Sequence, residues 1–488
     1  MATYTVNVKW NKEKFEGLEL DTSEPTEVFK AQLMALTGVE PDRQKVILRG
    51  STLKHTWDGF KGLKNGVTIQ MMGSATALPQ APAEKTVFVE DMTEQQLATH
   101  LKAPAGLTNL GNTCYMNATV QCLRSIPELC ETLATHSAVG GAAAMDTSSS
   151  ITDGFQMLVK DLQDSSDAIT PLIFLQKIFD AFPRFAERAE QGGFIQQDAN
   201  EFWIELVRCL QLSLIRPGKS KSFIDEFMRI DYEKKLKCIE SDDEPVSSSV
   251  EERYQLSCFI DSNVKHMMTG LKSGLKEHIT KKSMILDRDA QFEASSLISR
   301  LPAYLPIQFI RFQYKSKEGV NAKILKDVKF TFTLDLFEMC TPELQQRLVP
   351  MREAMKVEDD KRENEVKQAQ LKGEPLKKSR KCVKLPYSFS GDDGSNNSGF
   401  YELQAVLTHK GRASSSGHYV AWVKRSEMEW IKFDDDNVTG ITIDNIKELS
   451  GGGDWHTAYI LLYGPKILQR EETPAEPSSA TQEPMATE

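Results

Sequence analysis

The chain has 488 residues, 40% hydrophobic and 26% charged, the make-up of a globular protein with room for two or three domains and not of a fibre or a disordered polymer. Its formal net charge of -10 argues against a nucleic-acid binder, because neutralising phosphate takes a basic face. No stretch approaches the ~20 consecutive apolar residues that span a bilayer, and Met1 to Asn7 lacks the basic and apolar regions of a secretory signal, so no membrane span and a cytoplasmic or nuclear location are expected.

Tyr4, Val6, Val8 and Trp10 alternate with polar residues, the two-residue period of a half-buried strand, and Phe15, Leu18 and Leu20 suggest its hairpin partner. Pro25-Thr26 leads into Val28, Phe29, Leu33 and Leu36 on one helical face, ended by Gly38. Val46 and Leu48 make a further strand, and the turn signal Asn65-Gly66 precedes Val67, Ile69 and Met71. This order and spacing resemble the β-grasp of ubiquitin-like domains, here over 1–75. Gly73 runs on into Ser74-Ala75 and a Pro/Ala-rich stretch, so the module reads as a built-in docking domain rather than a transferable tag; a plain stabilising subdomain is the other reading.

Residues 76–100 read as a linker, 101–465 as a second domain and 466–488 as a disordered tail. Within the second domain, 139–150, 241–252, 353–381 and 391–399 look like surface loops or disorder: each is small, polar or charged and none has an apolar period. Met228, Ile230 and Tyr232 before the second of these, and Tyr254, Leu256, Cys258 and Ile260 after it, alternate like the two strands of an extended hairpin.

The chemistry is concentrated in two places. Cys114 ends the string Gly106-Leu107-Thr108-Asn109-Leu110-Gly111-Asn112-Thr113, and Met116, Val120 and Leu123 follow at helical spacing. A cysteine at the first turn of a helix has unpaired N–H groups and the helix dipole to favour its thiolate, the nucleophilic form. Far along the chain, Gly417-His418 precedes the strand-like run Tyr419 to Val423, and Asp434-Asp435-Asp436 follows the strand-like run Trp430 to Phe433. If those strands pair, Asp434 sits beside His418, and the chain holds a nucleophile, a base and a group to orient the base. His409 and His456 read as core or surface histidines. The eight cysteines, at 114, 122, 130, 209, 238, 258, 340 and 382, form no Cys-x-x-Cys pair, so reduced thiols are expected and neither a zinc ribbon nor a redox motif.

These strings resemble the Cys and His boxes of the ubiquitin-specific protease family of deubiquitinating enzymes. Gln196-Gln197-Asp198-Ala199-Asn200-Glu201-Phe202, Leu301 to Leu305 with Arg311-Phe312, and Tyr401 to Leu407 support the likeness, which spans about 105–463. It implies an α+β architecture with a papain-like catalytic domain of thumb, palm and fingers. It also implies Cys114 as nucleophile, His418 as base and then acid, Asp434 as orienter and Asn109 as oxyanion donor. Ubiquitin and ubiquitinated proteins are the implied partners. Gln197 and Asp198 resemble the family's ubiquitin-contacting box, although Asp198 also suits a helix cap. Tyr419 and Tyr459 would wall the channel for ubiquitin's C-terminal glycines, and the Ser414, Ser415 and Ser416 loop would block it in the free enzyme. The pairing of domains is similar to that of the family's proteasome-associated branch, implying docking on the 26S proteasome regulatory particle through the ubiquitin-like domain. Cys238 and Cys258 stand singly where many members carry Cys-x-x-Cys pairs, so no zinc or other cofactor is expected. Two alternatives remain: a non-catalytic ubiquitin-binding regulator of the proteasome, and a protease for another ubiquitin-like modifier.

Overall fold

In the computed structural model the described residues are 2–74, 104–137, 146–190, 192–315, 320–372, 382–413, 416–453 and 455–471. The linker expected over 76–100 lies outside them, as do Ser414 and Ser415. The chain divides into two units, Met1–Asp91 and Met92–Glu488.

In the first unit, β1 (Thr3–Trp10) and β2 (Glu13–Asp21) form the hairpin, followed by α1 (Thr26–Thr37), β3 (Lys45–Leu48), β4 (Ser51–Thr52) and β5 (Thr68–Met72). The sheet order is β2-β1-β5-β3-β4, with β5 parallel to β1. The alternation in β1 turns Val6 and Val8 into a core shared with Phe29 and Leu33 of α1 and with Ile69 and Met71 of β5. One helix packed on a mixed five-stranded sheet is the β-grasp arrangement.

The second unit opens with α2 (Cys114–Leu123), α3 (Pro127–Thr135), α4 (Thr147–Asp164), α5 (Leu172–Ala181) and α6 (Ala199–Ser213). A four-stranded sheet follows: β6 (Ile230–Cys238) and β7 (Ser247–Arg253) form a hairpin that continues into β9 (Lys276–Lys282) and β10 (Asp289–Arg300), in the order β7-β6-β10-β9. A ten-stranded sheet holds most of the remaining strands. Its main path uses β8 (Leu256–Phe259), β11 (Leu305–Ile310), β12 (Phe400–Ala413), β13 (Ser416–Lys424), β14 (Glu429–Asp434), β15 (Asn437–Thr442) and β16 (Thr457–Pro465), in the order β15-β14-β13-β12-β16-β11-β8. Successive residues of β13 enter different cores: Tyr419 and Ala421 face the helices, Val420 and Trp422 the opposite side. Glu128 of α3 accepts hydrogen bonds from Tyr304 and Tyr387, and Gln404 of β12 donates to the Ser125 carbonyl, tying helices to sheet. Arg311 is fully buried and donates to the carbonyls of Ala458, Ile324, Lys326 and Ser450 instead of to a carboxylate.

Each expected loop is corrected in part. Of 139–150, residues from Thr147 begin α4. Within 241–252, Ser247 onward is strand β7, exposed along nearly its whole length, so burial imposes no alternation for the sequence to display. The return strand of that hairpin is therefore 247–253; the alternation at 254–260 belongs to β8, which runs parallel to β11 in the other sheet. The charged run at 353–381 lies largely in α7 (Pro342–Lys372), where Lys361–Glu358 and Lys367–Glu363 pairs substitute for an apolar stripe. Residues 391–399 are irregular but mostly buried: Asn396 accepts from the Ser398 and Gly399 N–H groups and donates to the Phe400 carbonyl, and Asn397 donates to the carbonyls of Pro386 and Ser388. The tail expected from 466 includes a short strand, Gln469–Glu471, paired with Cys382–Lys384.

Candidate active site

Cys114 is the first residue of α2 and 2% exposed. The turn before it is held by its own side chains: Asn109 Oδ1 accepts from the Gly111 N–H at 2.9 Å and the Thr113 N–H at 3.2 Å, and Thr113 Oγ1 accepts from the Leu110 N–H at 2.9 Å. The sulfur is thus delivered at the end of a helix whose first N–H groups have no side-chain cap.

The histidine comes from β13 and the carboxylate from the end of β14, and these two strands pair as neighbours. His418 Nε2 lies 2.6 Å from Asp434 Oδ1. Hydrogen bonding to Asp434 first, and then to Cys114, outweighs burial and pushes His418 up to about 10. The same bond holds the Asp434 carboxyl well below the usual carboxylate range. One side chain therefore hydrogen-bonds both sulfur and carboxylate, placing a base beside a thiol as covalent attack on a carbonyl requires.

The three consecutive aspartates separate by role. Asp434 meets the imidazole and Asp436 is exposed, while Asp435, at φ 54°, turns inward. Its carboxylate accepts from Asn109 Nδ2 and Asn117 Nδ2, both at 2.8 Å, and its carbonyl accepts from the Leu107 N–H at 2.9 Å. Burial pushes the Asp435 carboxyl up despite these bonds. The contact requires Gly106, since a Cβ there would lie 2.7 Å from the Asp435 carbonyl oxygen and 2.9 Å from Asp436 Cα. Asp435 and Asn117 were not singled out by sequence: three aspartates in a row do not say which faces inward. Gln196, whose Nε2 is 4.0 Å from Cys114 Sγ, was visible only as part of its string.

Asn109 is exposed, with its amide donating to Asp435 beside the first turn of α2. Gln197 is half-buried and donates to the Arg184 carbonyl at 3.0 Å. Asp198 caps α6, accepting from the Asn200 and Glu201 N–H groups at 2.7 and 3.2 Å, and also accepts from the Tyr459 hydroxyl at 2.8 Å; burial pushes its carboxyl up. Tyr419 and Tyr459 are both buried, with ring centroids 6.2 Å apart, and His409 packs 4.7 Å from Tyr419. His409 is a core residue, pushed down to about 3 by burial, and His456, pushed down to about 4, stands edge-on to His418 at 6.3 Å. Ser416 opens β13 at the surface. Cys238 packs with Ala290 and Phe292, and Cys258 in a different core.

The model of the family described as ubiquitin carboxyl-terminal hydrolase matches residues 105–463, which takes in every one of these side chains. The chain belongs to the ubiquitin carboxyl-terminal hydrolase family. Similarity to individual hydrolases covers nearly the whole length. Ubiquitin carboxyl-terminal hydrolase 6 of Arabidopsis thaliana is 40% identical over 95% of this chain and 99% of its own. Ubiquitin carboxyl-terminal hydrolase 14 of Caenorhabditis elegans is 40% identical over 98% of both. Ubiquitin carboxyl-terminal hydrolase 6 of Schizosaccharomyces pombe is 38% identical over 95% of this chain and 99% of its own. The chain is a deubiquitinating thiol protease.

Proposed function

We propose that this hydrolase cleaves the bond after ubiquitin's C-terminal glycine, with Cys114 as nucleophile, His418 as base and acid, Asp434 as orienter and Asn109 as oxyanion donor. The observation that carries the reading is His418 standing between Cys114 and Asp434. Thiolate attack forms the S–C bond, and collapse breaks the C–N bond while the imidazolium gives its proton to the leaving lysine amine. Water, deprotonated by the now neutral imidazole, then cleaves the thioester and restores the thiol. Asp198, beside Tyr419 and Tyr459, offers a carboxylate for the basic C-terminal segment of ubiquitin, and the two rings border the route for its glycines.

The finer reading is that the protein removes ubiquitin from conjugates at the proteasome, in the cytoplasm or nucleus, docked through the 1–75 domain, with the segment Ser414 to Ser416 retarding the free enzyme. It is supported by the β-grasp unit joined to a hydrolase unit in one chain. A ubiquitin C-terminal electrophile should label the wild type and leave Cys114→Ala unlabelled; labelling only by the probe of another modifier would redirect the assignment. Turnover with and without proteasome, repeated after deletion of 1–75, tests docking: stimulation should vanish with the deletion, and equal rates for free and proteasome-mixed full-length enzyme would refute the loop's role.

A further inference from the structure

The carboxylate that orients His418 is gripped from two sides. His418 Nε2 takes Oδ1 at 2.6 Å, and Lys432 Nζ takes Oδ2 at 2.7 Å. Lys432 and Asp434 are two residues apart on β14, so they project from the same face of the strand. Lys432 is itself confined. It lies opposite Trp422 in the β13–β14 ladder, and its ammonium stands 5.6 Å from the centre of that indole. The indole in turn donates to Thr408 Oγ1 at 2.8 Å, and His456 packs against it at 6.1 Å. The ammonium is therefore held in a partly buried collar of Trp422, His456 and Asp434, where a charge pair is screened less than at an open surface.

We propose that Lys432 is a positioning residue of the active site: by holding Asp434 Oδ2 it aims Oδ1 at His418 and limits the negative field that the carboxylate exerts on the imidazole. The inference rests on the hydrolase reading given above. The groups facing this pair from all sides are Cys114 of α2, His409 and Lys410 of β12, Lys432 of β14, Asp435 of the following turn and His456 before β16. Of these, His409 and His456 are kept neutral by burial. The neutralised Asp434 retains enough field to keep His418 protonated, while the imidazolium remains able to give its proton to a leaving amine. Without the ammonium, Asp434 acts on His418 at full strength. The imidazolium then releases its proton less readily, and the thiolate–imidazolium pair persists over a wider range of pH.

The test is the pH dependence of kcat/KM for ubiquitin carrying a fluorogenic amine at its C-terminus, in wild type, Lys432→Met, Lys432→Gln and Lys432→Arg. The rate of Cys114 alkylation by iodoacetamide over the same pH series, read on the Cys114 peptide below the lowest melting temperature of the set, is the second measurement. In the Met and Gln variants the acid limb should move down and the alkaline limb up, each by on the order of 0.5–1 pH unit. Turnover at the optimum should drop about tenfold, the worth of one charge-assisted hydrogen bond. Arg should return both limbs toward wild type, which a loss of packing alone would not do. Limbs unchanged in Met and Gln overturn the proposal and leave Lys432 as an ordinary ion pair. If the wild type does not hydrolyse the ubiquitin substrate, the hydrolase reading fails instead, and the acid limb of alkylation still decides the role of Lys432.

Discussion

At the scale of single residues, the geometry turns three names in a motif into unequal partners. Asp434 is the first cause of the raised His418 value, so Asp434→Asn should bring His418 down from about 10 toward its ordinary range, a change readable in the imidazole resonances as pH is varied. A histidine raised on folding contributes fully to stability below its unfolded value and loses that contribution as pH rises toward about 10. Asp434, depressed on folding, contributes above its unfolded value and loses that as acid is added. Asn109→Ala should lower turnover roughly 10²- to 10³-fold with little change in KM if its amide meets the oxyanion, as steady-state hydrolysis would show. The place of Cys114 at a helix start and the meeting of His418 with Asp434 were legible because residue type, a helix start and two strand-like runs constrain them. Asp435, Asn117 and Lys432 were not: Asp435 faces inward through a turn at positive φ, Asn117 of α2 acts by meeting that carboxylate, and Lys432 depends on which face of β14 it occupies.

At the scale of elements, the Cys-bearing segment and the β14–β15 turn interlock through Gly106, which has no room for a side chain. Gly106→Ala should cost about 1–3 kcal/mol of the larger unit's stability, seen as a lowered denaturation midpoint, and should slow hydrolysis by separating sulfur from imidazole. β1 and α1, each with one buried face, were readable from their periods, and the runs that became β13 and β14, buried on both faces, from their continuous apolar and aromatic character. Those without such a face were not. Strand β7 is exposed nearly throughout, and α7 is held partly by charge pairs along its own length, so apolar periodicity had nothing to report. Strand β8 shows the converse error, a true alternation assigned to the wrong sheet, because a period reveals that a face is buried and not what buries it.

For the whole molecule, the two units carry separate apolar cores, Val6 to Met71 in one and the two large clusters flanking the ten-stranded sheet in the other. Calorimetry of the full chain should show two transitions, and removal of residues 1–75 should abolish one while leaving the other near its original temperature. A single transition shared by both units would contradict this. In the sequence the Pro/Ala-rich stretch after Gly73 separates one pattern of elements from the next, and the expected linker itself lies outside the described residues.

The buried Asn396 and Asn397 bear on how this protein ages. In a loose chain an asparagine followed by a small residue loses ammonia when the next backbone nitrogen folds back onto its amide carbon, leaving an acid. Here the next nitrogens are those of Asn397 and Ser398, which donate to the Tyr387 carbonyl and to Asn396 Oδ1, and both amide NH₂ groups are spent on carbonyls. Cyclisation would have to break that set of bonds first. Deamidation at this site should therefore accumulate on molecules that have already opened, making it a chemical record of past unfolding.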